Sequence, residues 1–191
     1  MALILASQSP RRKALLELMQ LPFTVQVADI DETMDPHKPP FDEVARVSRE
    51  KALAVKAAPG DVVIAADTIV VLEDTVLGKP TDEAHAEAML RMLSGRDHQV
   101  MTGLTVLRGS RVLSHTEVTH IHFRNLSETE IRRYVATGEP MDKAGAYAIQ
   151  GGAALFAEKM NGDYYNVMGL PVCRLWQLLG AIAPDIMEDF Q

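Results

Sequence analysis

Apolar and polar positions along this chain switch repeatedly between a strand-like and a helix-like period, and the switches mark its elements. Leu3-Ile4-Leu5-Ala6 is an unbroken apolar run, which predicts a buried strand. Ser7-Gln8-Ser9 then turns the chain into a helix, with Ser9 at its N-cap, Pro10 at its first position and an apolar stripe of Leu15, Leu16 and Met19. Phe23 to Val27 alternates as a half-buried strand. Residues 41 to about 58 read as a helix, with Val44, Val47, Ala52 and Val55 on one side and Glu43, Arg46, Arg49 and Glu50 on others. Lys51 falls close to its apolar stripe. Asp61 to Leu72 is apolar on either side of an Asp67-Thr68 pair, as in a strand buried on both faces. Thr81 is the expected cap of a helix from Asp82 to about Leu93, with Gly95 past its end. His98 to Phe123 reads as two strands about a Gly109-Ser110 turn, with Thr119, Ile121 and Phe123 on one face and His120 and His122 on the other, a pair that could ligate a metal but, with no carboxylate nearby in sequence, is expected to face solvent. Ser127-Glu128-Thr129-Glu130 is a capping box opening a helix that ends at Gly138. Asn161-Gly162, between two strand-like runs, predicts a type I′ hairpin over residues 154–169. Pro171 opens a last helix, and the acidic tail from Asp185 to Gln191 is expected to fray.

Composition narrows what such a chain can do. Its 191 residues fit a single domain spanning 1–191, and 47% hydrophobic residues with only 5% aromatics call for an aliphatic core. The net charge of −7 argues against nucleic acid as a partner, because that binding needs a basic face. A single cysteine, Cys173, excludes an intramolecular disulfide, and its apolar surroundings predict a buried, inert thiol. The first strand begins at residue 3 with no basic leader before it, and no apolar run approaches the ~20 residues of a membrane span. A cytoplasmic protein without a membrane partner is expected.

The candidate chemistry starts at the first helix. Arg11, Arg12 and Lys13 crowd a helix N-terminus, where the macrodipole already disfavours cations. A bound phosphate would reconcile charge and geometry, although an exposed basic turn is the simpler alternative. Asp29-Ile30-Asp31-Glu32 is either a solvated loop edge or a source of metal-binding or basic carboxylates. Lys51 either snorkels to solvent or reaches a ligand phosphate. Asp67 interrupts a buried strand, so it needs a cation, a metal or a strong hydrogen-bond partner. The small residues and glycines of Asp142 to Gly152 point to backbone that approaches something closely, with Asp142, Lys143 and Gln150 as its polar groups. Neither a P-loop nor a Gly-x-Gly-x-x-Gly motif occurs. Cationic clamps with carboxylates able to hold a hard metal are the parts needed for phosphoanhydride hydrolysis.

Ala6-Ser7-Gln8-Ser9-Pro10-Arg11-Arg12, Ala66-Asp67-Thr68, Leu77-Gly78-Lys79-Pro80, Asp142-Lys143-Ala144-Gly145-Ala146-Tyr147 and Gly162-Asp163-Tyr164-Tyr165 closely resemble the Maf family of nucleoside triphosphate pyrophosphatases, in order over nearly the whole chain. The resemblance implies an α/β fold of the inosine-triphosphatase-like type: a mixed, elongated sheet flanked by helices, with a cleft between two lobes. It implies hydrolysis of a nucleoside triphosphate to the monophosphate and pyrophosphate with Mg²⁺ or Mn²⁺, held by Asp67 and Glu32. Asp67 matches the family's proton acceptor, and Lys51, Lys79 and Glu32 match polar residues of its cleft. Arg11 and Arg12 match its phosphate-side arginines, with Ser7, Ser9, Asp142 and Lys143 as further substrate-binding positions. Thr68 and Gln150, with Arg11, match positions tied to substrate choice. The form of residues 142–151 resembles the branch acting on dTTP and UTP rather than the one preferring 7-methyl-GTP, and an amide such as Gln150 can pair with a pyrimidine edge. Modified pyrimidine triphosphates are further candidate substrates, and a nucleotide-binding regulator of septum formation without turnover, a pyrophosphatase of the 7-methyl-GTP branch and a nucleotidyltransferase remain alternative readings. The role, in nucleotide-pool cleansing or division arrest, and the oligomeric state, a homodimer included, stay open.

Overall fold

Leu3, Ile4 and Leu5 are buried in a strand that has a neighbour on each side. β1 (Leu3–Leu5) pairs in parallel with β2 (Phe23–Val25) and with β3 (Val62–Leu72), placing Leu3, Ile4 and Leu5 opposite Val62, Val63 and Ile64. The structure, a computed structural model, describes residues 1–27 and 29–187. β4 (Thr75–Leu77) folds back antiparallel on β3, β5 (Asp97–Arg108) and β6 (Arg111–Phe123) are joined through Gly109 and Ser110, and β7 (Ala157–Asn161) lies antiparallel to β6. Together they form a seven-stranded mixed sheet of order β2-β1-β3-β5-β6-β7, with β4 attached to β3. Between and after the strands come α1 (Pro10–Glu17), α2 (Pro40–Ala54), α3 (Glu83–Leu93), α4 (Glu128–Val135), α5 (Tyr164–Met168), α6 (Val172–Ile182) and α7 (Pro184–Met187). The expected α/β class is the observed one. No helix among the described residues is long and apolar enough to cross a membrane.

The chain packs as two compact units, each assembled from separate stretches of sequence. The first comprises residues 1–67, 102–117 and 169–191, the second residues 68–101 and 118–168. In the first, Ile4, Ala6, Val63 and Ala65 present one sheet face to Ala52 of α2 and to Val55 just past its end. Gly103 lets α2 come close, since a Cβ there would stand 2.2 Å from the Val44 carbonyl oxygen. In the second, α3, α4 and the sheet enclose Leu90, Leu93, Ile121, Phe123 and Ile131. His98, Phe123, Tyr147 and Phe156 add a chain of edge-on ring contacts there.

Most termini fall where the local chemistry directs. Ser9 caps α1 and Pro10 starts it. At α4 the capping box is complete, with Ser127 accepting from the Glu130 amide and Glu130 from the Ser127 amide. Asp82, rather than Thr81, caps α3 by accepting from the His85 amide at 2.7 Å. α2 stops at Ala54, short of the expected 58, as Val55 turns extended.

Two expectations are overturned. The Asn161-Gly162 hairpin does not form, because residues after Gly162 coil into α5 instead of returning as a strand. Asn166 is fully buried there and donates to the Val100 carbonyl and the Thr119 hydroxyl, bonds that a returning strand would not make. Cys173 is exposed, not buried. Leu175, Leu179 and Ile182 form the buried stripe of α6, and Cys173 precedes Leu175 by two positions, about 200° round the helix. Of the tail expected to fray, 188–191 lie outside the described residues, whereas Asp185 sits in α7 and pairs with Arg108.

Candidate active site

The pleat of β3 puts Val63, Ala65 and Asp67 on one face, and α2, which packs Ala52 on that face, carries Lys51 in its last turn. Helix packing on the strand therefore brings an ammonium to the buried acid: Lys51 Nζ is 2.7 Å from Asp67 Oδ1. Both residues are only 9% exposed. The same Nζ is 2.9 Å from Glu32 Oε2, which arrives on the loop after β2. Asp67 thus has the cation that its burial demanded, and Lys51 neither snorkels nor stays idle. Two carboxylates converge on one ammonium, leaving the trio with a net negative charge.

Arg12 is a second cation that acts on Asp67. Its Nε donates to the Gly169 carbonyl at 2.8 Å and its Nη1 to Ser7 Oγ at 3.3 Å. Burial pushes its pKa down, the Asp67 carboxylate pulls it back up, and Arg11 and Glu32 act more weakly in opposite senses. These side chains therefore share one electrostatic field. Ser7 Oγ also accepts from the Ser9 amide at 3.2 Å, so both serines organise the turn that aims the two arginines. Of the site residues expected from sequence, Ser7, Ser9, Arg11, Arg12, Glu32, Lys51 and Asp67 belong to the first unit.

The others belong to the second unit and occupy three places. Thr68 follows Asp67 in β3 and so takes the opposite face of the strand. Lys79 is exposed just past β4. Asp142 and Lys143 form an ion pair, Lys143 Nζ also donates to the Glu139 carbonyl at 3.3 Å, and Gln150 is exposed in the following turn. The close approach expected of this glycine-bearing segment is real. A Cβ on Gly145, at φ 67°, would lie 2.9 Å from Val70, and its amide donates to the Gly78 carbonyl at 3.0 Å. That bond ties the segment to the residue beside Lys79.

Carboxylates suit a hard divalent cation, and Asp67 and Glu32 are the two that meet at the Lys51 ammonium. No group of three or more His, Cys, Asp or Glu among the described residues could hold a metal. His120 is exposed and His122 pairs with Asp97 at 3.0 Å, in accord with their expected solvent-facing side.

Sequence reasoning missed Glu43 and Arg46. Glu43 is 2% exposed and Arg46 binds it through two nitrogens, at 3.0 and 2.8 Å. The available signal was an acid and an arginine three residues apart on a helix beside a loop rich in Asp.

Comparison with known proteins supplies the remaining observation. The family model described as Maf-like protein matches residues 2–182. The chain belongs to the Maf family. One family relative, named dTTP/UTP pyrophosphatase, from Symbiobacterium thermophilum, is 52% identical over 178 residues, covering 93% of this chain and 92% of its own. Another of the same name, from Bacillus mycoides, is 44% identical over 185 residues, covering 96% and 97%. The fold is shared with a HAM1 protein from Coxiella burnetii, at a TM-score of 0.51 and 17% identity, over 95% of this chain and 100% of that one.

Proposed function

We propose that this member of the Maf family is a nucleoside triphosphate pyrophosphatase that hydrolyses dTTP and UTP to the nucleoside monophosphate and pyrophosphate. The observation that carries the reading is the Lys51 ammonium bridging buried Asp67 and loop-borne Glu32, in the electrostatic field of Arg12. The names of the relatives support the substrate class.

In this reading the basic first turn of α1, with Arg11 and Arg12, binds the triphosphate oxygens and neutralises their charge. Asp67 takes a proton from the water that attacks the α-phosphorus. The new P–O bond forms as the bond to the β-bridging oxygen breaks, and pyrophosphate leaves. Lys51 holds the Asp67 carboxylate in place, and Glu32 shares the same cation. A divalent ion held by Asp67 and Glu32 would supply Lewis-acid neutralisation of the phosphate oxygens. Thr68, Lys79, Asp142, Lys143 and Gln150 remain proposals from the family pattern.

The test is pyrophosphate release with Mg²⁺ or Mn²⁺ across dTTP, UTP, CTP, GTP and 7-methyl-GTP. Turnover of dTTP and UTP, lost in Asp67→Asn while nucleotide binding survives, is the expected result. Normal turnover by Asp67→Asn would overturn the role of Asp67, and binding without any turnover would favour a regulator. The metal site has its own readout: Mn²⁺ binding measured by water-proton relaxation should weaken in both Asp67→Asn and Glu32→Gln.

A further inference from the structure

Glu32 poses a positional problem. Its side chain is 58% exposed, and its ion pair with Lys51 is the type of partly exposed contact that contributes little. A glutamate with that much freedom would not stay at 2.9 Å on the strength of this contact alone. Its position must be set by its backbone, and the restraints on that backbone come from α2.

Glu43 and Arg46 supply them. The Glu43 carboxylate accepts from the Asp35 amide at 2.8 Å and from Arg46, with Lys38 Nζ at 4.0 Å. Arg46 Nη2 donates to Glu43 and also to the Thr33 carbonyl, each at 2.8 Å. Its Nη1 donates to Glu50 at 2.8 Å, which fixes the guanidinium plane along the helix. Asp31 Oδ1 accepts from the Thr33 amide at 2.9 Å. Residues on both sides of the 33–35 turn are therefore held, and Glu32 is the next residue upstream. The helix that makes these bonds is the one that carries Lys51.

We infer that Glu43 and Arg46 are positioning residues: they clamp the backbone at Thr33 and Asp35 to α2 and so set Glu32 against Lys51. This rests on the reading of Lys51, Asp67 and Glu32 as the hydrolytic site. The pair touches neither Lys51 nor Asp67 in any hydrogen bond described above, so its effect passes through the loop. Burial of Glu43 is a consequence of that loop folding back, and Arg46 is the partner that makes the burial tolerable.

Arg46→Lys is the informative variant. It keeps a cation for Glu43, so the fold should survive, but a lysine lacks the planar fork that spans Glu43 and the Thr33 carbonyl together. With dTTP and saturating Mg²⁺, kcat is expected to fall about tenfold while KM changes less than about twofold, since misplacement of a supporting group costs chiefly turnover. Hydrogen exchange at the Asp35 amide should accelerate in Arg46→Lys and in Glu43→Gln. In a Glu32→Gln background, Arg46→Lys should cause no further loss, because the group being positioned has gone. Multiplying losses in the double variant, or wild-type kcat despite accelerated exchange, would overturn the inference. If the wild-type protein released no pyrophosphate, the functional reading would fail on its own. The exchange measurement would still decide the clamp, since unchanged exchange at Asp35 would refute it.

Discussion

Lys51 is the residue whose loss should be felt most sharply, because two acids depend on its one ammonium. Lys51→Met keeps much of the side-chain volume but leaves Asp67 buried without its cation. Stability should fall by about 3 kcal/mol. Asp67→Asn and Glu32→Gln should each cost less, since Lys51 keeps one carboxylate in either variant. Urea denaturation of the three variants checks the order, and equal losses would mean that the pair with Asp67 is not the dominant contact. The need for a cation at Asp67 was legible from one acid in a two-sided apolar strand, whereas Lys51 was legible only as a lysine near a stripe. Glu43 was legible only as an acid three residues from an arginine, and its burial was not. Helical phase placed it on a polar side of α2, and its burial comes from a loop that local periodicity cannot position. Cys173 misled in the opposite way, because apolar neighbours in sequence are not neighbours around a helix.

Between elements, the contact that decides the site's geometry is the seating of α2. Gly103 of β5 lies directly under Val44, with a virtual Cβ 2.2 Å from its carbonyl oxygen and 2.9 Å from the Ala45 amide nitrogen. Backbone cannot yield as a flexible side-chain tip does. Gly103→Ala should therefore lift the helix, costing about 1–3 kcal/mol and lowering kcat together with the stability. Thermal denaturation and dTTP turnover check this, and an unchanged kcat would show that Lys51 tolerates movement of its helix. Element boundaries were well marked where a cap decided them, as at Ser9 and Ser127. The hairpin expectation failed because Asn161-Gly162 states only that the chain can turn. Whether a strand or a helix follows was decided by Thr119, whose hydroxyl accepts from the Asp163 amide at 3.0 Å and from Asn166 at 2.9 Å.

For the molecule as a whole, acid sensitivity should begin above the carboxylate range because of His98 in the second unit. Burial holds its pKa down to about 4 from the ordinary 6.5, against smaller raising effects from the Arg96 backbone and Asp97. The unfolded chain takes up this proton at about pH 6.5 and the folded one resists until about 4, so stability is lost as pH falls through that window. The ring, 2.9 Å from the Tyr147 hydroxyl through Nε2, stays neutral at pH 7. The drop in melting temperature between pH 7 and pH 5 should shrink in His98→Gln; an undiminished drop would assign the sensitivity elsewhere.

The chain passes from one unit to the other inside β3, β5 and β6, and again between Met168 and Gly169. Neither unit can therefore be cut out as a gene fragment, nor exchanged with a relative's by one crossover. A swap of residues 68–168 would carry 102–117 with it, and Gly103, the seat of α2, would travel with the foreign piece. Recombination in this family is thus expected to preserve the two units together, and new substrate preferences to arise by point substitution instead of by trading modules.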